Sequence, residues 1–193
     1  PGVAYKTGET HIKNKPAVSN LKNNAYPDFS DLDLDKYFSS DVVIPILSSK
    51  GCFWRRCSFC EEGNINLYSV VDLDRVVDEI EHHYSNGHRY FQFVDEMISP
   101  KRLRMLSKKI IGRKIEVFFY ATLRPSADFN EETLHLMYKA GFRYVIWGVE
   151  SANPRVLKLI NKGTTVETIS NALKLSTKAG IKNLENRVSK NRT

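Results

Sequence analysis

Ala140-Gly141-Phe142-Arg143-Tyr144-Val145-Ile146-Trp147-Gly148-Val149-Glu150-Ser151 carries the chain from a helix end through a glycine into an apolar run that stops at an acid. The chain uses the same device earlier, at Asn86-Gly87-His88-Arg89-Tyr90-Phe91-Gln92-Phe93-Val94-Asp95-Glu96. A glycine past the last periodic residue ends a helix by taking a left-handed conformation, and a run of four or five β-branched and aromatic residues is too short for another. Working outward, Leu73, Val76, Val77, Ile80 and Tyr84 keep helical spacing behind a capping Asp72, and Ser99-Pro100 opens a second helix striped by Leu103, Leu106 and Ile110. Gly112 closes that helix before Val117-Phe118-Phe119-Tyr120, and Asn130 with Glu131 and Glu132 starts a third. Asn153-Pro154 begins a short helix through Ile160, and Thr164-x-x-Glu167 has the form of a capping box for one that runs to Gly180.

Strands that alternate with helices imply a parallel sheet closed by right-handed crossovers, either an α/β barrel or an open doubly wound sheet. Val42-Val43-Ile44-Pro45-Ile46-Leu47 is the first strand of the series. Both folds put ligands at the C-terminal ends of the strands. The candidate site is therefore made of the residues just past each strand: a cysteine loop after the first, Asp95-Glu96 after the second, Arg124 past the third, Glu150-Ser151 after the fourth. All are expected on one rim.

The loop after the first strand reads Gly51-Cys52-Phe53-Trp54-Arg55-Arg56-Cys57-Ser58-Phe59-Cys60, and it holds every cysteine of the chain at C-x4-C-x2-C spacing. Three thiols cannot form two disulfides, so the pattern favours a soft metal centre. They are one short of a closed zinc shell and suit a 4Fe-4S cube that keeps one iron open. Zinc with a distant histidine as fourth ligand, and a metal-free loop, stay open on spacing alone. Arg55 and Arg56 would lower thiol pKa values and offset the charge of a thiolate-bound cluster. Phe53, Trp54 and Phe59 beside these arginines also fit a stacking platform for single-stranded RNA, a reading set against their packing around a metal centre. The pair His82-His83 on an amphipathic helix reads as an exposed helix edge.

The 193 residues suit one domain with a real core, and the formal charge of +7 is spread along the chain. Lys6, Lys13, Lys15 and Lys22 stand near the start, and Lys182, Arg187, Lys190 and Arg192 near the end. Scattered lysines serve solvation, so nucleic acid is not the expected partner. No stretch is apolar enough to cross a bilayer and no leader opens the chain, which together with reduced thiols fits a cytoplasmic protein. Residues 1–40 are polar and read as a linker or N-terminal extension, residues 41–181 as the core, and residues 182–193 as a polar basic tail.

With its cysteines after the first strand of a repeating βα pattern, the chain resembles the radical S-adenosylmethionine (radical SAM) enzymes. The resemblance rests on the cysteine segment, on Phe91 to Glu96, on Thr133 to Gly141 leading into Trp147-Gly148-Val149-Glu150-Ser151, and on Val156-Leu157-Lys158-Leu159-Ile160-Asn161-Lys162-Gly163. It covers residues from about Tyr26 to Gly180 and is most similar to members that carry a cobalamin-binding domain in front. It implies an α/β fold, a partial (β/α) barrel of the radical SAM type with four to five βα units and parallel strands. It also implies that Cys52, Cys57 and Cys60 bind three irons of a 4Fe-4S cluster and that S-adenosyl-L-methionine chelates the fourth. Phe59 would lie near the adenine, Asp95-Glu96 would meet the methionyl amino group, Glu150 with Ser151 would face the ribose or amino acid part, and Arg124 would pair with the carboxylate. The implied partners are an external electron donor and a small-molecule or peptide substrate, with cobalamin supplied by a domain absent from this chain. The loop departs from the usual C-x3-C by one residue. The segment after Gly180 is too polar for a buried parallel strand. With Pro1 in place of a methionine at the start, the chain reads as truncated and weakly active alone.

Overall fold

The structure, a computed structural model, describes residues 3–15, 21, 25–29, 31–39, 41–61 and 68–187, with the backbone alone for Asp35, Asn186 and Arg187. Lys22, Lys190 and Arg192 lie outside the described residues. An exposed hairpin of β1 (Ala4–Thr7) and β2 (Thr10–Lys13) comes first, within the segment read as a polar linker or N-terminal extension. Strand β3 (Val43–Ile46) leads into β4 (Ser49–Lys50), which pairs antiparallel with β5 (Ser69–Val70) and so ties the base of the cysteine loop. The chain continues through α1 (Leu73–Ser85), β6 (Tyr90–Phe93), α2 (Pro100–Gly112), β7 (Phe118–Leu123), α3 (Glu131–Lys139), β8 (Phe142–Glu150), α4 (Pro154–Leu159), α5 (Val166–Lys178) and β9 (Lys182–Arg187).

The main sheet runs β3-β6-β7-β8-β9, parallel throughout and in chain order. Right-handed crossovers between sequential neighbours put every helix on the same face, so the order selects the partial barrel over the doubly wound sheet, whose strand order must reverse. Ile44, Ile46, Phe91, Phe93, Phe119, Ala121, Val145 and Trp147 are buried toward the helices. Their neighbours in the alternation, Val43, Tyr90, Phe118 and Tyr144, are exposed on the other face. Gly141 enters β8 with φ +110, and a Cβ there would lie 2.0 Å from the Val117 carbonyl oxygen. The glycine that ends α3 is thus also the residue that lets β8 close on β7.

Asp72, Ser99 and Asn130 accept backbone N–H bonds at the starts of α1, α2 and α3 as their sequence positions predict. At α5 the cap moves by one residue: the Thr165 side chain accepts from the Thr168 N–H, and Thr164 is not the cap. Two further expectations are corrected. The segment after Gly180 forms a parallel strand, because main-chain ladder bonds to β8 need no apolar side chains at a sheet edge, and its Leu184 stays half exposed. His83 is buried, with Phe29 packed on its ring at 5.7 Å, while His82 alone forms the exposed edge.

Glu79 on α1 is buried, and desolvation pushes its carboxyl up to about 7 against the opposing pull of Arg75. Between the ordinary value of 4.5 and about 7 the folded chain binds more protons than the unfolded one, so stability falls as pH rises and levels off above pH 7. Glu79→Gln should therefore raise the melting temperature at about pH 8 and leave it nearly unchanged at about pH 4. Thermal melts of both proteins across this range check it, and an equal shift at both ends would contradict it.

Candidate functional site

Parallel pairing delivers the ends of β3, β6, β7 and β8 to one side of the sheet, and the cysteine loop lies across them. Cys52, Cys57 and Cys60 line a cavity of about 180 Å³ together with Phe59, Glu96, Arg124, Glu150 and Lys162. Burial pushes the Cys57 thiol up, Lys162 pulls it down, the Cys60 and Cys52 thiols push it up, and Arg124 pulls it down. The Cys57 thiol thus lies within electrostatic reach of the other two thiols and of both cations. Among the described residues no three His, Cys, Asp or Glu side chains converge on a point that would hold one metal ion.

The two acids after β6 divide their work. Asp95 is buried, and its carboxylate accepts from the Ser48 N–H at 3.0 Å, the Ser48 hydroxyl at 2.7 Å and the Ser49 hydroxyl at 2.6 Å. Desolvation pushes its pKa up, and the bonds from Ser49 and Ser48 oppose that. Both of its oxygens are spent on fastening the end of β3 to the end of β6. Glu96 instead lines the cavity, and its Oε2 accepts from the Gly51 N–H at 2.9 Å, one residue before the first cysteine.

At the end of β8 the ladder to β9 shifts register between Gly148 and Glu150, and Glu150 takes φ +63. A left-handed glutamate is a strained backbone, of the kind that concentrates at functional sites. Its Oε1 accepts from the Lys162 ammonium at 2.8 Å, with 14% and 9% of the two side chains exposed. Ser151 does not line the cavity; its hydroxyl accepts from the Asn153 N–H at 3.1 Å and steadies the turn into α4.

Arg124 comes just after β7, and its Nε and Nη2 donate to the Lys162 carbonyl at 3.1 and 2.8 Å. Its guanidinium lies over the Trp54 ring, 4.6 Å from the centroid. Phe59 is 48% exposed and turns its ring toward the Lys162 ammonium at 5.7 Å. The rim residues of the four strand ends are thus assembled, with Asp95 and Ser151 turned away from the cavity. Lys162 joins the site without having been singled out for it, and Trp54, read with Phe53 and Phe59 as packing around a metal centre or as a stacking platform, packs against Arg124. The glycine after Lys162 marks a turn, but no periodicity in the sequence ties position 162 to Glu150.

Comparison with known proteins places this architecture. The profile of the Radical SAM superfamily matches residues 46–191. The chain belongs to the radical SAM superfamily. It is 28% identical over 189 residues to a Pyrococcus horikoshii protein named uncharacterized methyltransferase PH0819, covering 93% of this chain and 40% of that protein. It is 30% identical over 193 residues to the anaerobic magnesium-protoporphyrin IX monomethyl ester cyclase of Rubrivivax gelatinosus, covering 93% of this chain and 34% of the cyclase. The radical SAM methyltransferase TsrM of Kitasatospora setae, solved with cobalamin and a [4Fe-4S] cluster, superposes with a TM-score of 0.68 at 26% identity over 75% of this chain and 30% of TsrM. The chain spans well under half the length of each. Membership implies a 4Fe-4S cluster and S-adenosyl-L-methionine, and the donor set fits them: three thiols on one loop, two cations beside them and two carboxylates on the cavity wall. No helix among the described residues is long and apolar enough to cross a membrane.

The pair Lys162–Glu150 is the most enclosed ion pair of the chain among the described residues. Lys162→Met leaves the Glu150 carboxylate without its counter-ion, and a loss of about 3 kcal/mol is expected for a broken enclosed pair. Urea denaturation of the cofactor-free chain measures it. Adding Glu150→Gln should recover most of the loss, whereas strictly additive effects would show that the two side chains do not act as a pair.

Proposed function

We propose that this chain binds a 4Fe-4S cluster through Cys52, Cys57 and Cys60 and presents S-adenosyl-L-methionine to it in the cavity at the strand ends. The single observation that carries the reading is that one cavity gathers all three thiols, both acids Glu96 and Glu150, and the cation Lys162. Together the two groups supply one-electron reductive cleavage of a sulfonium, the source of a 5'-deoxyadenosyl radical for hydrogen abstraction. In a cube each cysteine holds a different iron, so the thiols need to share a wall; zinc needs its thiolates around one atom at about 2.3 Å.

The residues take these roles in the proposal. Glu96 accepts hydrogen bonds from the methionyl ammonium, since Asp95 is occupied by Ser48 and Ser49. Lys162, with one of its three donors on Glu150, is better placed than Arg124 to meet the cofactor carboxylate, because Arg124 is bound to backbone carbonyls. Glu150 then faces the ribose or the amino acid part, and Phe59 flanks the adenine. For the whole protein the proposal is methyl transfer or modification of a small molecule or peptide, with cobalamin held by another domain and electrons from an external donor in a reducing cytoplasm. Names of the relatives support the methyl-transfer version, and the alternative of an RNA-stacking platform loses support because Trp54 already packs against Arg124.

Anaerobic reconstitution should yield iron and sulfide in the proportions of one 4Fe-4S cluster, with an electron paramagnetic resonance signal that changes when S-adenosyl-L-methionine is added. Alanine at any one of the three cysteines should abolish incorporation. Glu96→Ala should weaken cofactor binding by about 1.5–3 kcal/mol, or roughly 10- to 150-fold, the scale of a hydrogen bond to a charged group. Stoichiometric zinc without sulfide would replace the proposal with a zinc module.

A further inference from the structure

The turn that ends α4 offers a row of backbone carbonyls, as every helix C-terminus does, and such groups need donors from outside the helix. Here the donors come from the cysteine loop and from Arg124. The Ser58 hydroxyl reaches the Leu159 oxygen at 3.4 Å, the Ser58 N–H the Ile160 oxygen at 3.0 Å, and the Trp54 indole N–H the Asn161 oxygen at 2.8 Å. Arg124 takes the Lys162 and Gly163 oxygens. Five consecutive carbonyls are thus held from two other elements of the rim.

Trp54 is the hinge of this contact. It stands inside the C-x4-C spacing, next to Arg55 at φ +50. One face of the indole carries Arg124, 4.6 Å from the ring centroid, and Arg56 lies 5.3 Å from that centroid. The ring also fills the space above Gly163, which has φ +67: a Cβ there would lie 1.9 Å from the indole Cζ2. Gly163 is therefore glycine for two reasons at once, its backbone conformation and the ring against it.

Resting on the proposal that the three thiols hold a cluster, we infer that Trp54 is the positioning residue of the cysteine loop. It seats the loop on the Leu159–Gly163 turn and so holds Arg124 and Lys162 beside the thiolates. Cations fixed next to an iron–sulfur cluster stabilise its more negative, reduced form, so the seat sets the potential as well as the shape of the site.

The test compares wild type, Trp54→Phe, Trp54→Ala, Gly163→Ala and the Trp54→Ala/Gly163→Ala double variant, each checked by thermal melting to be folded. The readouts are iron and sulfide content after anaerobic reconstitution, the resonance spectrum of the reduced cluster, its midpoint potential, and the alkylation rate of the cysteines in the metal-free chain at fixed pH. Trp54→Ala should lower cluster content, move the potential to more negative values and speed alkylation several-fold. Trp54→Phe, which keeps a ring but loses the indole donor, should fall between. Gly163→Ala should resemble Trp54→Ala, and in the double variant it should add only the backbone strain of an alanine at φ +67, less than its effect alone, because the ring it strikes is gone. Wild-type behaviour of Trp54→Ala in spectrum, potential and alkylation, or strict additivity in the double variant, would overturn the inference. Absence of iron and sulfide from wild type would instead defeat the cluster reading, and the alkylation rates would still decide whether Trp54 seats the loop.

Discussion

A parallel ladder requires the chain to return to the same end of the sheet before each new strand, and this requirement governs the molecule. It makes every strand finish on one side, so whatever chemistry the sequence places after a strand is pooled with the rest. The cysteine loop, Glu96, Arg124 and Glu150 come from four separate stretches of the chain, yet they meet without any device beyond the crossover rule. Lys162 is the exception, since it comes after a helix; the short α4 folds back over the rim and carries it there.

Burial then sorts the polar groups on that rim. Asp95 is enclosed and saturated by hydroxyl and amide donors, so it acts as a fastener between strands. Its neighbour Glu96 and the pair Glu150–Lys162 remain on the cavity wall, where a charged ligand can trade places with an existing partner. Two adjacent acids of the same sequence motif therefore differ in role because one points toward the serines after β3 and the other toward the cysteine loop.

Much of this was legible in the sequence. Gly87 and Gly141 with the apolar runs after them marked β6 and β8, while α2 turns at Lys114 beyond Gly112 and α4 at Asn161, and the three cysteines pointed to the candidate site. Side-chain direction was not legible: alternation along a strand says nothing about the residues beyond its end, so Asp95 and Glu96 could not be told apart. Pairing that rests on the main chain was also hidden, as in β9, whose Lys182-Asn183-Leu184-Glu185 carries no apolar pattern. Long-range contacts were hidden for a third reason. The match between Trp54 and Gly163 is one of shape, and spacing in the sequence does not encode it.

That match joins residues far apart in the order of synthesis. The indole of Trp54 and its acceptor Asn161 are 107 positions apart, and the strands between them can pair one by one with the neighbour just made. During translation the cysteine loop therefore exists, tied at its base, well before its seat has been made. For that interval the loop lacks the turn on which Trp54 and Ser58 rest, and that turn arrives only when most of the sheet is in place. The turn that seats the cysteine loop is written after four of the five strands of the main sheet, and only α5 and β9 follow it.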